Sequence, residues 1–270
     1  MPTKRQVSSD AFFASHPVFS VHEATRAFAS RRGTRAAVER LRRHLDSGRL
    51  KLVARGLYAV VPPGSSAEAF RPDPFRVARA ARPDCVFCYH SALELLGVAH
   101  SAWNLCTVFT SSRRPPLKLD GGQVRFLDPP AALRRANDGL LGTRKVERAG
   151  ELLRVTGPER TLVEGFYRPD FVGGVSELTN SASGFPTLDL ALLERILTQY
   201  AARQLWGAVG WFLEQHQATF HVPAEFLSRM EQHRPRSPQY VPRRQRGGVL
   251  MPRWNVILPQ EIGRGEPDER

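Results

Sequence analysis

The stretch from Ser20 to Val61 limits what this chain can fold into more than any other. Ser20 is followed three residues later by Glu23, the spacing of a capping box, in which a hydroxyl and a carboxylate satisfy the free amides of a helix start. Ala24, Ala27 and Phe28 give that helix an apolar stripe. Arg31 to Gly33 are expected to break it, and Thr34 to cap a second helix. In the second helix Val38, Leu41 and Leu45 recur at i, i+3 and i+7 and are expected to face the core. That turns Ala36, Glu39, Arg40 and Arg43 outward, with Arg35 near the start and Arg42 on the flank. Gly48 ends the helix. Leu50 to Ala54 and Leu57 to Val61 are β-prone runs separated by Arg55-Gly56, a short-hairpin signal. Two helices, a tight turn and a basic hairpin predict a winged helix-turn-helix.

An outward helix face of Ala, Glu and several Arg suits the major groove of duplex DNA. Arg binds guanine or phosphate bidentately, and Ala approaches a thymine methyl group. The candidate DNA-binding residues are Arg35, Ala36, Glu39, Arg40, Arg42 and Arg43 from the helix and Arg49, Lys51 and Arg55 from the hairpin. The last three would lie beside a phosphate backbone or in a minor groove. A helix with a solvated Arg-rich face would look the same on its own. The basic hairpin that follows it is what favours DNA.

Charge supports this reading. The 270 residues carry 39 Lys and Arg against 26 Asp and Glu, and the excess is uneven. Residues 1–63 hold 12 basic and 4 acidic residues, a net of +8, against +3 for residues 64–180 and +2 for residues 181–270. A GC-rich genome would favour Arg everywhere and does not concentrate charge in one quarter of the chain, whereas a polyanion site does. The N-terminal stretch to Asp10 is polar, with no signal-peptide pattern, and no apolar run approaches a membrane span. The expectation is a cytoplasmic protein without membrane contact.

Beyond the basic stretch, a first short helix is expected over residues 8–15, its Phe12 and Phe13 covering the core of the DNA-binding module. The predicted organisation is a winged helix-turn-helix domain at residues 1–63, a Pro/Gly/Ser-rich linker at 64–74, and an α/β (α+β) region at 75–270. Within that region residues 187–232 read as helical and 253–259 as a terminal strand. Strands are expected at Asp84 to Tyr89, Asn104 to Thr110, Gly122 to Leu127 and Glu151 to Val155, and short helices at Phe75 to Ala81 and from Ser91 to Leu96. Thr156-Gly157-Pro158-Glu159 reads as a second capping box, with Thr156 as cap and Glu159 closing it.

With those pieces in place the chain resembles the AbiEi-type antitoxin family, transcriptional regulators of type IV toxin–antitoxin (abortive infection) systems. The stretches that carry the resemblance are Gly48-Arg49-Leu50 running into Arg55-Gly56-Leu57-Tyr58-Ala59-Val60, then Tyr89 to Gly97, then Val155 to Glu164 with Arg168-Pro169 and Gly173-Gly174, and finally Arg253 to Pro259. They cover most of the chain in the right order. The resemblance implies repression of its own operon through inverted repeats in the promoter. It also implies a neighbouring nucleotidyltransferase-like toxin, countered through the C-terminal part without a stable complex. Paired half-sites could be bound by a dimer or by two monomers.

Enzymatic chemistry finds no complete motif, and neither a catalytic residue, a cofactor nor a metal site is expected. A nucleotidyltransferase needs two carboxylates after a Gly-Ser turn, and Gly64-Ser65 is followed only by Asp73-Pro74. A restriction-type nuclease needs a Lys two residues after its Glu, and Pro169-Asp170 is followed by Glu177-Leu178-Thr179. Cys85-x-x-Cys88 with His90 has zinc-like spacing at one end only, so buried thiols are expected. Arg160 is expected to form a structural salt bridge. The alternatives left open are a nucleic-acid-processing enzyme using the middle α/β region and a module that neutralises a toxin by direct binding.

Overall fold

In the computed structural model the described residues are 8–28, 33–112, 114–242 and 246–263. The fold is α/β, with helices along the whole chain and mixed sheets. It divides into two compact units, and each is built from two segments: Met1–Cys85 with Asn104–Phe126, and Val86–Trp103 with Leu127–Arg270.

The first unit opens with α1 (Ser9–Ser15), β1 (Val18–Ser20), α2 (Val21–Phe28), α3 (Gly33–Asp46), β2 (Leu50–Ala54), β3 (Leu57–Val60) and α4 (Pro74–Ala81). Ser8 caps α1, its hydroxyl accepting from the Ala11 amide at 3.1 Å. The Ser20–Glu23 box forms as expected. The Ser20 amide donates to the Glu23 carboxylate at 2.7 Å, and the Glu23 amide donates to Ser20 Oγ at 3.2 Å. Gly48 and Gly56 take the left-handed conformation that ends α3 and turns the hairpin, at φ +70° and +75°. The strand β1 is not legible in the sequence. It is three residues long and gains its partners from β3, in the register Val18↔Ala59, Phe19↔Tyr58, Ser20↔Leu57. The sheet order is β1-β3-β2.

One face of this sheet closes on the three helices through Phe12, Phe13, Phe19, Phe28, Leu41, Leu50 and Tyr58. The Phe12 ring meets those of Phe19 and Phe28 edge-on, each at 5.0 Å between centroids. Such pairs are worth about 0.5–1.5 kcal/mol each beyond their area burial. Leu57 and Ala59 are buried on the other face, and α4 packs against β1 and β3.

The chain then supplies β4 (Val86–Phe87) and α5 (His90–Leu95) to the second unit. It returns to the first for β5 (Leu105–Phe109), β6 (Leu117–Leu119) and β7 (Gly122–Leu127). The order β6-β7-β5 leaves β6 at an edge. The rest is the second unit: α6 (Ala131–Arg135), β8 (Thr143–Arg148), β9 (Glu151–Thr156), α7 (Pro158–Tyr167), a 3-10 turn at Pro169–Phe171, α8 (Val175–Ala182), α9 (Leu190–Tyr200), α10 (Arg203–Gln215), α11 (Ala224–Gln232), β10 (Gln239–Tyr240), β11 (Val249–Met251), β12 (Val256–Leu258) and α12 (Gln260–Gly263). There β9 lies between β4, which it meets in parallel, and β8, which it meets antiparallel.

Two local expectations are corrected in this unit. The second capping box does not form. Gly157 takes the cap position of α7, the Thr156 hydroxyl pairs with that of Thr161 at 2.7 Å, and Glu159 accepts from the Asp189 amide at 2.8 Å. A partner 30 residues away outcompetes the local one. The helix placed from Ser91 begins one residue earlier at His90, with Tyr89 before it at φ +55°. Arg160 does form a structural salt bridge. It is 1% exposed, donates to Glu164 at 2.7 Å, and reaches the Gly139 and Leu141 carbonyls at 2.8 and 2.9 Å.

Helix α10 is buried on every side from Gln204 to Leu213. Gly207 and Gly210 let Trp254 settle against it. A Cβ on Gly207 would stand 2.6 Å from the Trp254 carbonyl, and one on Gly210 would run into the Trp254 ring. Trp254 is 1% exposed and its indole donates to Glu214 at 2.6 Å. Gly210→Ala is therefore expected to lower the thermal midpoint, at a cost of about 1–3 kcal/mol from overpacking. Glycine to alanine inside a helix would otherwise gain stability, so the sign of the shift is the check.

His90 is 1% exposed and stacks on Trp103 with the rings 4.6 Å apart. Burial lowers its pKa below the ordinary 6.5, and Glu177, 3.7 Å away, opposes the shift only in part. The unfolded chain thus takes up the proton first as pH falls. The stability linked to His90 is complete above about pH 6.5 and is lost on acidification through that value. Urea unfolding at pH 7 and pH 5.5 is expected to show the loss. His90→Phe, which keeps the stack, should reduce it, leaving the contributions of His44 and His216, both also lowered chiefly by burial.

Candidate nucleic-acid interface

Helix α3 begins at Gly33, one residue before Thr34, the residue expected to precede it as cap. Arg31 and Arg32 of the expected turn lie outside the described residues. The core-facing residues of α3 are Ala37 and Leu41, with Leu45 partly buried against the same cluster. Val38, expected inside, is 42% exposed. Ala37 is buried in its place, in the cluster that also holds Ala24 and Phe28 of α2. The core stripe of the helix is therefore turned by roughly 30° from the expected orientation, at about 100° per residue.

That rotation re-sorts the candidates. Arg35, Glu39, Arg42 and Arg43 are exposed and form the outward face. Ala36 is half-buried on a flank. Arg40 swings toward the core, with its guanidinium over the Phe28 ring at 5.0 Å from the centroid. A cation there contributes about 0.5–1 kcal/mol to the fold.

The hairpin cations also separate. Arg55 is exposed at the turn. Arg49 pairs with Asp10 at 2.5 Å and lies over the Phe13 ring at 5.8 Å, yet its side chain is 51% exposed. The hydrogen bond and charge of Arg49 hold the Asp10 carboxyl below its usual range. Both partners are open to solvent, so a phosphate could take the place of Asp10. Lys51 is held more firmly. Its ammonium donates to the Phe70 carbonyl at 2.7 Å and sits 3.7 Å from Asp120, with the side chain 21% exposed. Segment 62–74 is thus tied to the hairpin, although it contains no strand and only the first residue of α4. Nothing in the local sequence could have shown this, because both partners of Lys51 come from elsewhere in the chain.

Charge follows the fold more closely than it follows sequence order. The first unit holds 20 Lys and Arg against 8 Asp and Glu, a net of +12, and the second 19 against 18, a net of +1. Nearly the whole excess belongs to the unit that carries α3 and the hairpin.

Cys85, Cys88 and Cys106 are buried and form no disulfide, and burial pushes the Cys85 thiol up to about 12. No group of three His, Cys, Asp or Glu is placed to hold a metal among the described residues. Glu177 accepts from the Ser101 amide at 3.0 Å and the Ser181 hydroxyl at 3.2 Å, which orders the chain around it. No helix among the described residues is long and apolar enough to cross a membrane.

The fold has a counterpart of known structure. The RV2827C protein from Mycobacterium tuberculosis superposes with a TM-score of 0.55 at 18% identity, over 89% of this chain and 85% of that one. At this identity the likeness extends to the fold alone. No family model matches the sequence, and no curated protein does.

Proposed function

We propose that this chain is a sequence-specific DNA-binding repressor of its own operon, with residues 8–60 as its winged helix-turn-helix and α3 as the recognition helix. The observation that carries the reading is the outward face of Arg35, Glu39, Arg42 and Arg43, followed directly by a hairpin with Arg55 at its turn, in a unit of net +12. Arg42 and Arg43 read base edges or clamp phosphates, Arg35 and Arg55 contact the backbone, and Arg49 joins them by leaving Asp10. Arg40 and Lys51 support the module from behind. Inverted repeats in the promoter would be occupied by a dimer or by paired monomers.

The resemblance to AbiEi-type antitoxins extends the proposal. In a cytoplasmic toxin–antitoxin pair the second unit would counter a nucleotidyltransferase-like toxin encoded beside it, without a stable complex. No catalytic step is assigned to the chain itself. A reporter driven by the upstream region, with and without the protein, tests repression. Co-expression with the neighbouring gene product tests the antitoxin role. Repression lost in Arg42→Ala/Arg43→Ala, together with growth rescue by both proteins, is the expected result. An unrepressed reporter removes the first part, and continued growth arrest removes the second.

A further inference from the structure

We infer that the β6–β7 ribbon is a second backbone contact of the same unit, gripping a DNA phosphate track beyond the reach of α3 and the β2–β3 hairpin. This rests on the reading that the protein binds duplex DNA.

The charge count first points to it. Residues 64–85 and 104–126, which the fold adds to the N-terminal stretch, bring 8 basic and 4 acidic residues. Three of the four acids are engaged internally. Asp73 caps α4, accepting from the Phe75 amide at 3.0 Å. Asp84 pairs with Arg82 and accepts from Ser111, which hold its carboxyl far below the usual range. Asp120 pairs with Arg71 at 2.9 Å.

The ribbon's own geometry gives that charge a direction. Its register is Leu117↔Val124, Lys118↔Gln123, Leu119↔Gly122. Val124 and Phe126 are buried, so the alternation of a strand places Lys118, Gln123 and Arg125 on the opposite face, where Lys118 and Arg125 are exposed. No acidic side chain interrupts that face within either strand.

The ribbon is also fixed in place. Asp120, in its turn, lies within ion-pair reach of both Arg71 and Lys51 of β2. Beside the same turn the Gln123 amide donates to the Asn104 carbonyl at 2.9 Å, an approach that only a residue without Cβ at position 122 permits, since a Cβ there would stand 2.6 Å from the same oxygen. A basic ribbon anchored to the hairpin beside the recognition helix offers phosphates a preset spacing. The rival role for Lys118 is to keep an edge strand from pairing with another chain.

The test compares full-length wild type with Lys118→Ala/Arg125→Ala on two duplexes from the upstream region, one long and one trimmed to a single half-site. On the long duplex the variant should flatten the log–log salt dependence by about 2 units, because each phosphate contact contributes about 0.9, while sequence preference is unchanged. On the trimmed duplex variant and wild type should coincide. Lys118→Arg should restore part of the slope. An unchanged slope on the long duplex overturns the inference and leaves the repressor reading standing. An unchanged slope with new self-association assigns Lys118 to edge protection. Wild type that binds neither duplex overturns both readings.

Discussion

Arg42→Glu/Arg43→Glu is expected to abolish sequence-specific DNA binding, lowering affinity for the operator by roughly 10²–10⁴-fold. The magnitude follows from about 1–3 kcal/mol for each lost bidentate contact, with added repulsion from the new carboxylates. Both side chains are exposed on α3, so the thermal midpoint should change little. Arg40→Ala provides the contrast. It removes the guanidinium from the Phe28 ring, so it should cost about 0.5–1 kcal/mol of stability and leave the salt dependence of binding nearly intact. Titration of a labelled duplex, paired with thermal melts, separates the two. If Arg40→Ala weakened binding more than the double charge reversal, α3 would have to present its Arg40 face to the DNA instead.

Arg160→Ala is expected to be the most damaging single change to stability. The guanidinium is 1% exposed and Glu164 is fully buried, and Tyr200 also donates to that carboxylate at 2.7 Å. Removing the arginine leaves a buried carboxylate with only a phenol and two backbone carbonyls with no donor. Breaking a buried pair from one side typically costs about 3–5 kcal/mol, a large share of the stability of an ordinary domain. Arg160→Met/Glu164→Gln removes both charges and should recover much of the loss. Urea unfolding of the wild type, both single variants and the double variant measures the coupling. A double variant no more stable than Arg160→Ala would show that the damage comes from packing.

What can be read in the sequence is what depends on near neighbours. The Ser20–Glu23 box, the Gly48 and Gly56 turns, and the α1 helix with Phe12 and Phe13 all draw on residues within a few positions, and all form as expected. The limits are set by partners elsewhere in the chain. Strands β1 and β6 span three residues each and exist through their pairing. Val38 outranks Ala37 in hydrophobicity, yet Ala37 is the one buried in the cluster with Phe28 and Leu41, while Val38 is 42% exposed. Glu159 forms no box because the Asp189 amide is within its reach. Lys51 reads as a free wing cation in the sequence, and only the fold brings the Phe70 carbonyl and Asp120 to it. The same long-range pairing brings residues 104–126 into the basic unit, which no linear division of the sequence would do.

The central claim is that the first unit reads a DNA sequence. Binding to the duplex upstream of the gene, against a scrambled duplex of equal length and composition at two salt concentrations, tests it most directly. A sequence-reading unit should prefer the native duplex by ~10³ or more, with both affinities falling as salt rises. Equal binding to the two duplexes would contradict the claim. The basic unit would then be a non-specific anchor, and the function would lie in the second unit.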